Sequence, residues 1–283
     1  MKVIMLPLTR DSNTALLSGA AAGLASKFSA NVTGLFVRRD PKSAIPLLGE
    51  GLTADMIQQM CDVTDQEGQR YASESESIFA EAMTNASIPM GENTNGHRVA
   101  HWRTVVGEVA DHVGRCARTA DFSICERPRD RHSAQAEIFN DLVFRSGRSV
   151  LMVPDSGTPP ALDHMLVAWN GRAECARAVS GALPLLRKAK SISILQIGDL
   201  GADRPTLEDI GDYLKVHQIY ATQLLEPANK RSVGEAVYGK AQDLGVDSIV
   251  IGAFSTARWR ELILGGVTRY LIENSEIPIY MSH

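Results

Sequence analysis

Gly252-Ala253-Phe254-Ser255 and, nine residues further on, Gly265-Gly266-Val267-Thr268 are the part of the chain whose residue types and spacing suit a definite chemistry. Gly252 follows an apolar run and removes a side chain where backbone turns close to a ligand; Gly265-Gly266 does so at the start of a helical stretch. Free N–H groups and the dipole of a helix amino terminus favour a phosphate. The hydroxyls of Ser255 and Thr268 add donors. The same spacing also suits a plain glycine turn ahead of an ordinary helix, so residue types alone leave both readings open. Other constellations are weaker. The histidines are scattered without an HExxH pattern, and His97 and His101 flank an expected strand rather than a helix. Gly239-Lys240 lacks the upstream glycine and the Ser/Thr of a P-loop. Arg258, Arg260 and Arg269 either meet phosphates or form a solvated helix face, and Trp169 and Trp259 either cover the pocket or fill the core. No Ser-His-Asp ordering and no base beside a nucleophile stands out.

The elements that must position these residues come as an internal repeat. Residues 3–8 and 165–169 are short apolar runs, each followed by polar turn residues and an Ala/Leu-rich helical stretch, 14–29 and 173–189. A second apolar run follows each helix, at 32–37 and 192–197. Val106-Gly107-Glu108-Val109-Ala110 is matched by Val233-Gly234-Glu235-Ala236-Val237, and Ala120-Asp121 and Val246-Asp247 precede the runs 122–125 and 248–251. The halves close on 149–153 and 278–281. Apolar runs without in-out alternation are strands buried on both faces, so helices must cover a parallel sheet on each side. Alternating strands and helices give an α/β fold of two tandem doubly wound (Rossmann-like) domains, each with a five-stranded parallel sheet. The expected boundaries are 1–154 and 163–283, joined by a Pro/Gly-rich linker over 153–162. Ser232 with Glu235 predicts a capped helix over 232–244. Residues 40–59, with Pro41, Pro46 and Gly49, form an insertion before a long polar helix to about 86, either a lid or a surface loop.

Composition narrows the function classes. The 283 residues suit about two domains at ~150 residues each. A net charge of −4 does not give the basic footprint of a non-specific nucleic-acid binder. The nearest approach to a membrane span, residues 14–28, is broken by Ser18, Gly19, Ser26 and Lys27. The amino-terminal apolar stretch is too short and too quickly charged for a signal peptide. Cys61, Cys116, Cys125 and Cys175 share no CxxC spacing, which points away from zinc and disulfides and towards a reducing cytoplasm.

The glycine spacing, the strand ending Leu166-Val167-Ala168-Trp169-Asn170-Gly171 and Gly234-Glu235-Ala236 resemble the universal stress protein family in its tandem form, over nearly the whole chain. The family motif is glycine, two residues, glycine, nine residues, then glycine followed by Ser or Thr. Here Ser255 stands at the second glycine and Gly266 at the Ser/Thr position, while Asn170 stands where nucleotide-binding members have Asp. The resemblance implies an adenine-nucleotide site, for ATP with Mg2+ or a related nucleotide. It would be built from Ala168, Trp169, Asn170, Ile197, Gly252, Ser255, Gly265, Gly266, Val267 and Thr268. In the first half Glu126 stands opposite Gly252, and no Gly-Gly opens the last helix, so that half is expected to be an empty structural copy. The resemblance further implies a cytoplasmic stress-response protein with at most slow ATP hydrolysis, without nucleic-acid or membrane partners. Family members dimerise through the last strand, so the two halves are expected to pair as an intrachain pseudo-dimer, with a homodimer also open. The alternatives are a ligand-free interaction and dimerisation module, and a hydrolase or transferase of nucleotide-like substrates.

Overall fold

A computed structural model describes residues 1–44, 53–92, 98–155, 160–228, 231–254 and 266–283. In the first half the elements are β1 (Val3–Leu8), α1 (Thr14–Phe28), β2 (Asn31–Arg38), a short 3-10 helix (Pro41–Ala44), α2 (Ala54–Asn85), β3 (Ala100–Val106), α3 (Val109–Ala117), β4 (Phe122–Glu126), α4 (Ala134–Arg145) and β5 (Ser149–Val153). The second half repeats the order with β6 (His164–Ala168), α5 (Ala173–Leu186), β7 (Ser191–Ile197), α6 (Leu207–Val216), β8 (Thr222–Glu226), α7 (Val233–Asp243), β9 (Ser248–Gly252), α8 (Gly266–Asn274) and β10 (Ile279–Ser282). The long polar helix begins near Thr53, whose side chain accepts the Met56 N–H, so most of the expected insertion after residue 53 is helix. Residues 45–52, with Pro46 and Gly49, lie outside the described residues.

The ten described strands join one sheet in the order β3-β2-β1-β4-β5-β10-β9-β6-β7-β8. Within each half every pairing is parallel, and the halves meet where β10 runs antiparallel to β5, with Tyr280 opposite Leu151. Each half therefore reverses its strand order between its first and fourth strands, which opens a crevice at the carboxyl ends of β1/β4 and of β6/β9.

Two apolar cores flank the sheet, and both run through the two halves. One packs α1, α2, α5 and α6 side chains (Leu17, Phe79, Val179, Leu214) on one face. The other packs α3, α4, α7 and α8 (Val113, Phe139, Val237, Leu271) on the opposite face. The repeat extends to a polar device. Asp121 accepts the Lys2 and Val3 N–H groups at the start of β1. Asp247 accepts the Asp163 and His164 N–H groups at 2.8 and 3.0 Å at the start of β6. Each first strand thus has its leading donors satisfied by the aspartate before the fourth strand. The linker is held in turn by Lys27 of α1, whose Nζ donates to the Ala161 and Leu162 carbonyls and to Asp163 Oδ1 at 2.6 Å.

Candidate functional site

Eight of the ten residues singled out from the sequence border one cavity of about 130 Å3 in the second crevice: Ala168, Trp169, Asn170, Ile197, Gly252, Gly266, Val267 and Thr268. Ser255 and Gly265 lie outside the described residues, as do Arg258, Trp259 and Arg260. Leu195, Leu200, Val233, Val237 and Ile251 complete the described wall, and none of them is a site candidate from the sequence, because apolar residues of strands and helix faces look like core. No ionisable side chain is among the described lining. The described lining combines apolar residues of β6, β7, β9 and α7 with the amino terminus of α8, which packs beside the start of α7.

The individual residues have separate physical reasons. Trp169 is 5% exposed and its Nε1 donates to the Pro205 carbonyl at 3.0 Å, so the indole is a packed wall with its polar atom satisfied. Asn170 Oδ1 accepts the Arg172 N–H at 3.0 Å, closing an Asx turn in which Gly171 has φ +67°. That commits the acceptor and leaves the Asn170 amide as a donor group. Gly252 is required by packing as well as by approach: a Cβ there would lie 2.4 Å from the Cys175 nitrogen in the first turn of α5. Gly234 allows α7 and α8 to touch, since a Cβ would meet Tyr270 Cβ at 2.7 Å. Gly266 is different, because nothing described lies within 4 Å of a Cβ at the first position of α8. Thr268 is 3% exposed, on the inner side of that helix. Arg269 pairs with Glu273 along α8 at 2.8 Å with both side chains half exposed, which is the solvated-face alternative.

Cys175 donates to the Ala168 carbonyl at 3.2 Å, and burial pushes its thiol up to about 11, so it behaves as core rather than as a nucleophile. Among the described residues no group of three His, Cys, Asp or Glu is arranged to hold a metal ion.

The first half keeps a cavity at the matching crevice, of about 240 Å3, but with a wall of another kind. Phe36, Val37 and Tyr71 line it together with Arg10, Arg38, Arg39, Asp11, Glu67, Glu108 and Glu137. Arg10 is paired with Asp11 at 3.3 Å and Arg38 with Asp65 at 3.1 Å, so two of the three guanidinium groups are already neutralised. Glu126, 6% exposed, lies where the second half has Gly252 and accepts the Asn13 N–H at the start of α1 at 3.3 Å. Burial raises its carboxyl above the ordinary range in spite of that contact.

No protein-family model and no curated protein sequence matches the chain. Solved structures do. A universal stress protein from Archaeoglobus fulgidus DSM 4304 superposes with a TM-score of 0.73 at 16% identity, over 99% of this chain and 97% of that one. A protein assigned to the universal stress proteins from Pseudomonas aeruginosa UCBPP-PA14 gives 0.58 at 12% identity, over 100% and 93%. The cytoplasmic domain of a prokaryotic cation chloride cotransporter gives 0.52 at 10% identity, over 99% and 95%. Ten strands in one sheet, two doubly wound halves and near-complete coverage on both sides give one conclusion: this chain has the tandem universal stress protein fold.

Proposed function

We propose that the chain is a tandem universal stress protein that binds one adenine nucleotide in the crevice of its second unit (163–283), while the first unit (1–154) binds none. The carrying observation is a cavity at a strand-order reversal whose described lining has no ionisable side chain and combines apolar residues with the amino terminus of α8. The apolar residues suit a purine, and the N–H groups opening α8 suit phosphate oxygens. The described wall offers no carboxylate to a divalent cation, so Mg2+ would be carried by the phosphates of ATP. The activity we assign to this site is retention of the nucleotide. In the first unit the buried Glu126 and the acidic cavity rim oppose a phosphate. A cytoplasmic, stress-linked role follows from the family resemblance and agrees with four free cysteines. Among the described residues no helix is long and apolar enough to cross a membrane.

Denaturing the purified protein and identifying released small molecules by mass spectrometry tests the proposal, with adenine nucleotide near one per chain expected. The cytoplasmic domain of a cation chloride cotransporter has this fold too, so the fold alone does not imply a nucleotide, and a ligand-free interaction module is the second reading. No released nucleotide together with no thermal shift at millimolar ATP would establish that reading instead.

A further inference from the structure

The chain leaves the second cavity through Phe254, two residues after Gly252 lines its wall. Phe254 has φ +57°, a left-handed conformation that a bulky side chain rarely adopts unless its surroundings impose it. The imposing surroundings belong to the other half. The ring, 6% exposed, lies 4.8 Å from Phe144 and 6.4 Å from Phe139, both on α4, with centroid separations and tilts of favourable aromatic pairs. His283 completes the cluster, 5.1 Å from the Phe144 ring, and its Nδ1 is 3.1 Å from the Ala253 carbonyl. The Ala253 N–H donates to the Ser282 carbonyl at 2.8 Å, so the backbone between cavity and anchor is also tied to β10.

We infer that Phe254 is a positioning residue for the second cavity, and that its seat on α4 makes the first half a structural support of the second half's site. The inference rests on the reading of that cavity as the nucleotide site, but its mechanical content does not. Gly252 has to lie against α5, where a Cβ would collide with helix backbone, and the next residues are pulled towards α4. The end of β9 is therefore held from both faces of the sheet, and it is one wall of the cavity. This gives the aromatic pair on α4 a role: α4 also contributes Ala134 and Glu137 to the first-half cavity, so one helix borders one cavity and braces the other.

The test uses the full chain and Phe144→Ala, a change more than 100 residues away in sequence from the wall it should loosen. Phe144→Leu keeps apolar contact and serves as the conservative variant. Leu24→Ala, in the core on the opposite face of the sheet, serves as a control for lost stability. Amide hydrogen exchange on ligand-free protein, at a temperature where every variant is folded, reads the wall directly. In Phe144→Ala the Ala253 amide, bonded to the Ser282 carbonyl, should exchange at least tenfold faster. Phe144→Leu should restore most of the protection, and Leu24→Ala should leave this site unchanged. ATP titration of the same proteins should show Phe144→Ala binding about tenfold more weakly. Unchanged exchange at Ala253, or equal acceleration in Leu24→Ala, would overturn the inference. Faster exchange confined to the wall in a parent protein that binds no ATP would uphold the positioning and overturn the nucleotide reading alone.

Discussion

Gly252→Ala and Gly266→Ala, two substitutions of the same kind fourteen residues apart, should move stability in opposite directions. At Gly252 the new methyl group would lie 2.4 Å from the Cys175 nitrogen, 2.8 Å from the Glu174 carbonyl carbon and 2.9 Å from the Cys175 Cα. Ordinary contact begins at 3.4 Å, so the first turn of α5 must retreat by about 1 Å, and every opposing atom is backbone. Overpacking costs ~1–3 kcal/mol, and a helix that must move as a body places this case near the upper end. With ~2–4 °C of Tm per kcal/mol for a chain of this size, the loss should be roughly 6–12 °C. At Gly266 a methyl group meets nothing described within 4 Å, and the backbone is not left-handed. Removing unfolded-state freedom there should stabilise by ~0.4–1 kcal/mol, roughly 1–4 °C. Differential scanning calorimetry of both variants against the parent decides the matter. A Gly252→Ala protein melting within 1 °C of the parent would refute the packing argument, and a Gly266→Ala protein that loses several degrees would show that this position is conformationally constrained.

The remaining predictions concern charge. Glu126 has a folded-state carboxyl raised by burial, so the folded chain binds its proton more tightly than the unfolded chain. Its contribution therefore becomes less favourable as pH rises from the unfolded carboxylate range through the raised folded value, and Glu126→Gln should raise Tm at pH 7 while changing little at pH 3.5. Asp163 shows the reverse sign. The Lys190 and Lys27 ammonium groups hold it at about 2, so its stabilisation is present above the unfolded value and is lost as pH falls towards 2. The gap in Tm between parent and Asp163→Asn should narrow over that interval. Asp121→Ala and Asp247→Ala each strip the acceptor from two strand-opening N–H groups, and each should cost ~1–3 kcal/mol in urea unfolding. Widely unequal costs would mean that the two aspartates are not equivalent parts of the repeat.

Most of the fold is legible because buried parallel strands leave uninterrupted apolar runs. The runs at 3–8, 149–153 and 192–197 match β1, β5 and β7 to within a residue. The edge strands are harder. β3 exposes His101, Arg103 and Thr104, and β8 exposes Thr222, Gln223 and Leu225, so neither leaves a continuous apolar run; the strand expected beside His101 has its counterpart in β3, while β8 and the helix α6 before it carry no such signal. Ser232 is legible as a cap, and its side chain accepts the Glu235 N–H at 3.2 Å. The reciprocal capping box forms at Thr206 and Asp209. At the site, residue types identify Asn170 and Gly252 as turn-forming positions, but the reason for Gly252 lies in α5, 77 residues earlier, and no local pattern carries it. The conformation of Phe254 is likewise invisible, since its sequence neighbours favour no left-handed phenylalanine and the support comes from α4. The first-half cavity was hidden for another reason. One side of its wall is Thr64, Glu67, Gly68 and Tyr71 of α2, and residues of a long polar helix look like solvated surface until the helix is placed against β2.

The central claim is that phosphate is received at the start of α8, and titration calorimetry of ATP and adenosine into parent and Gly266→Glu tests it most directly. A carboxylate about 4 Å from a phosphate costs ~1–4 kcal/mol between unit charges at effective dielectric constants from 80 to 20. No described atom lies within 4 Å of a Cβ at Gly266, and an acidic residue suits a helix amino terminus, so the fold should be kept. The account predicts one ATP per parent chain, a fivefold to several-hundredfold weaker ATP affinity in Gly266→Glu, and a much smaller loss for adenosine. A folded Gly266→Glu protein that binds ATP as tightly as the parent, or a parent that binds two per chain, would contradict it.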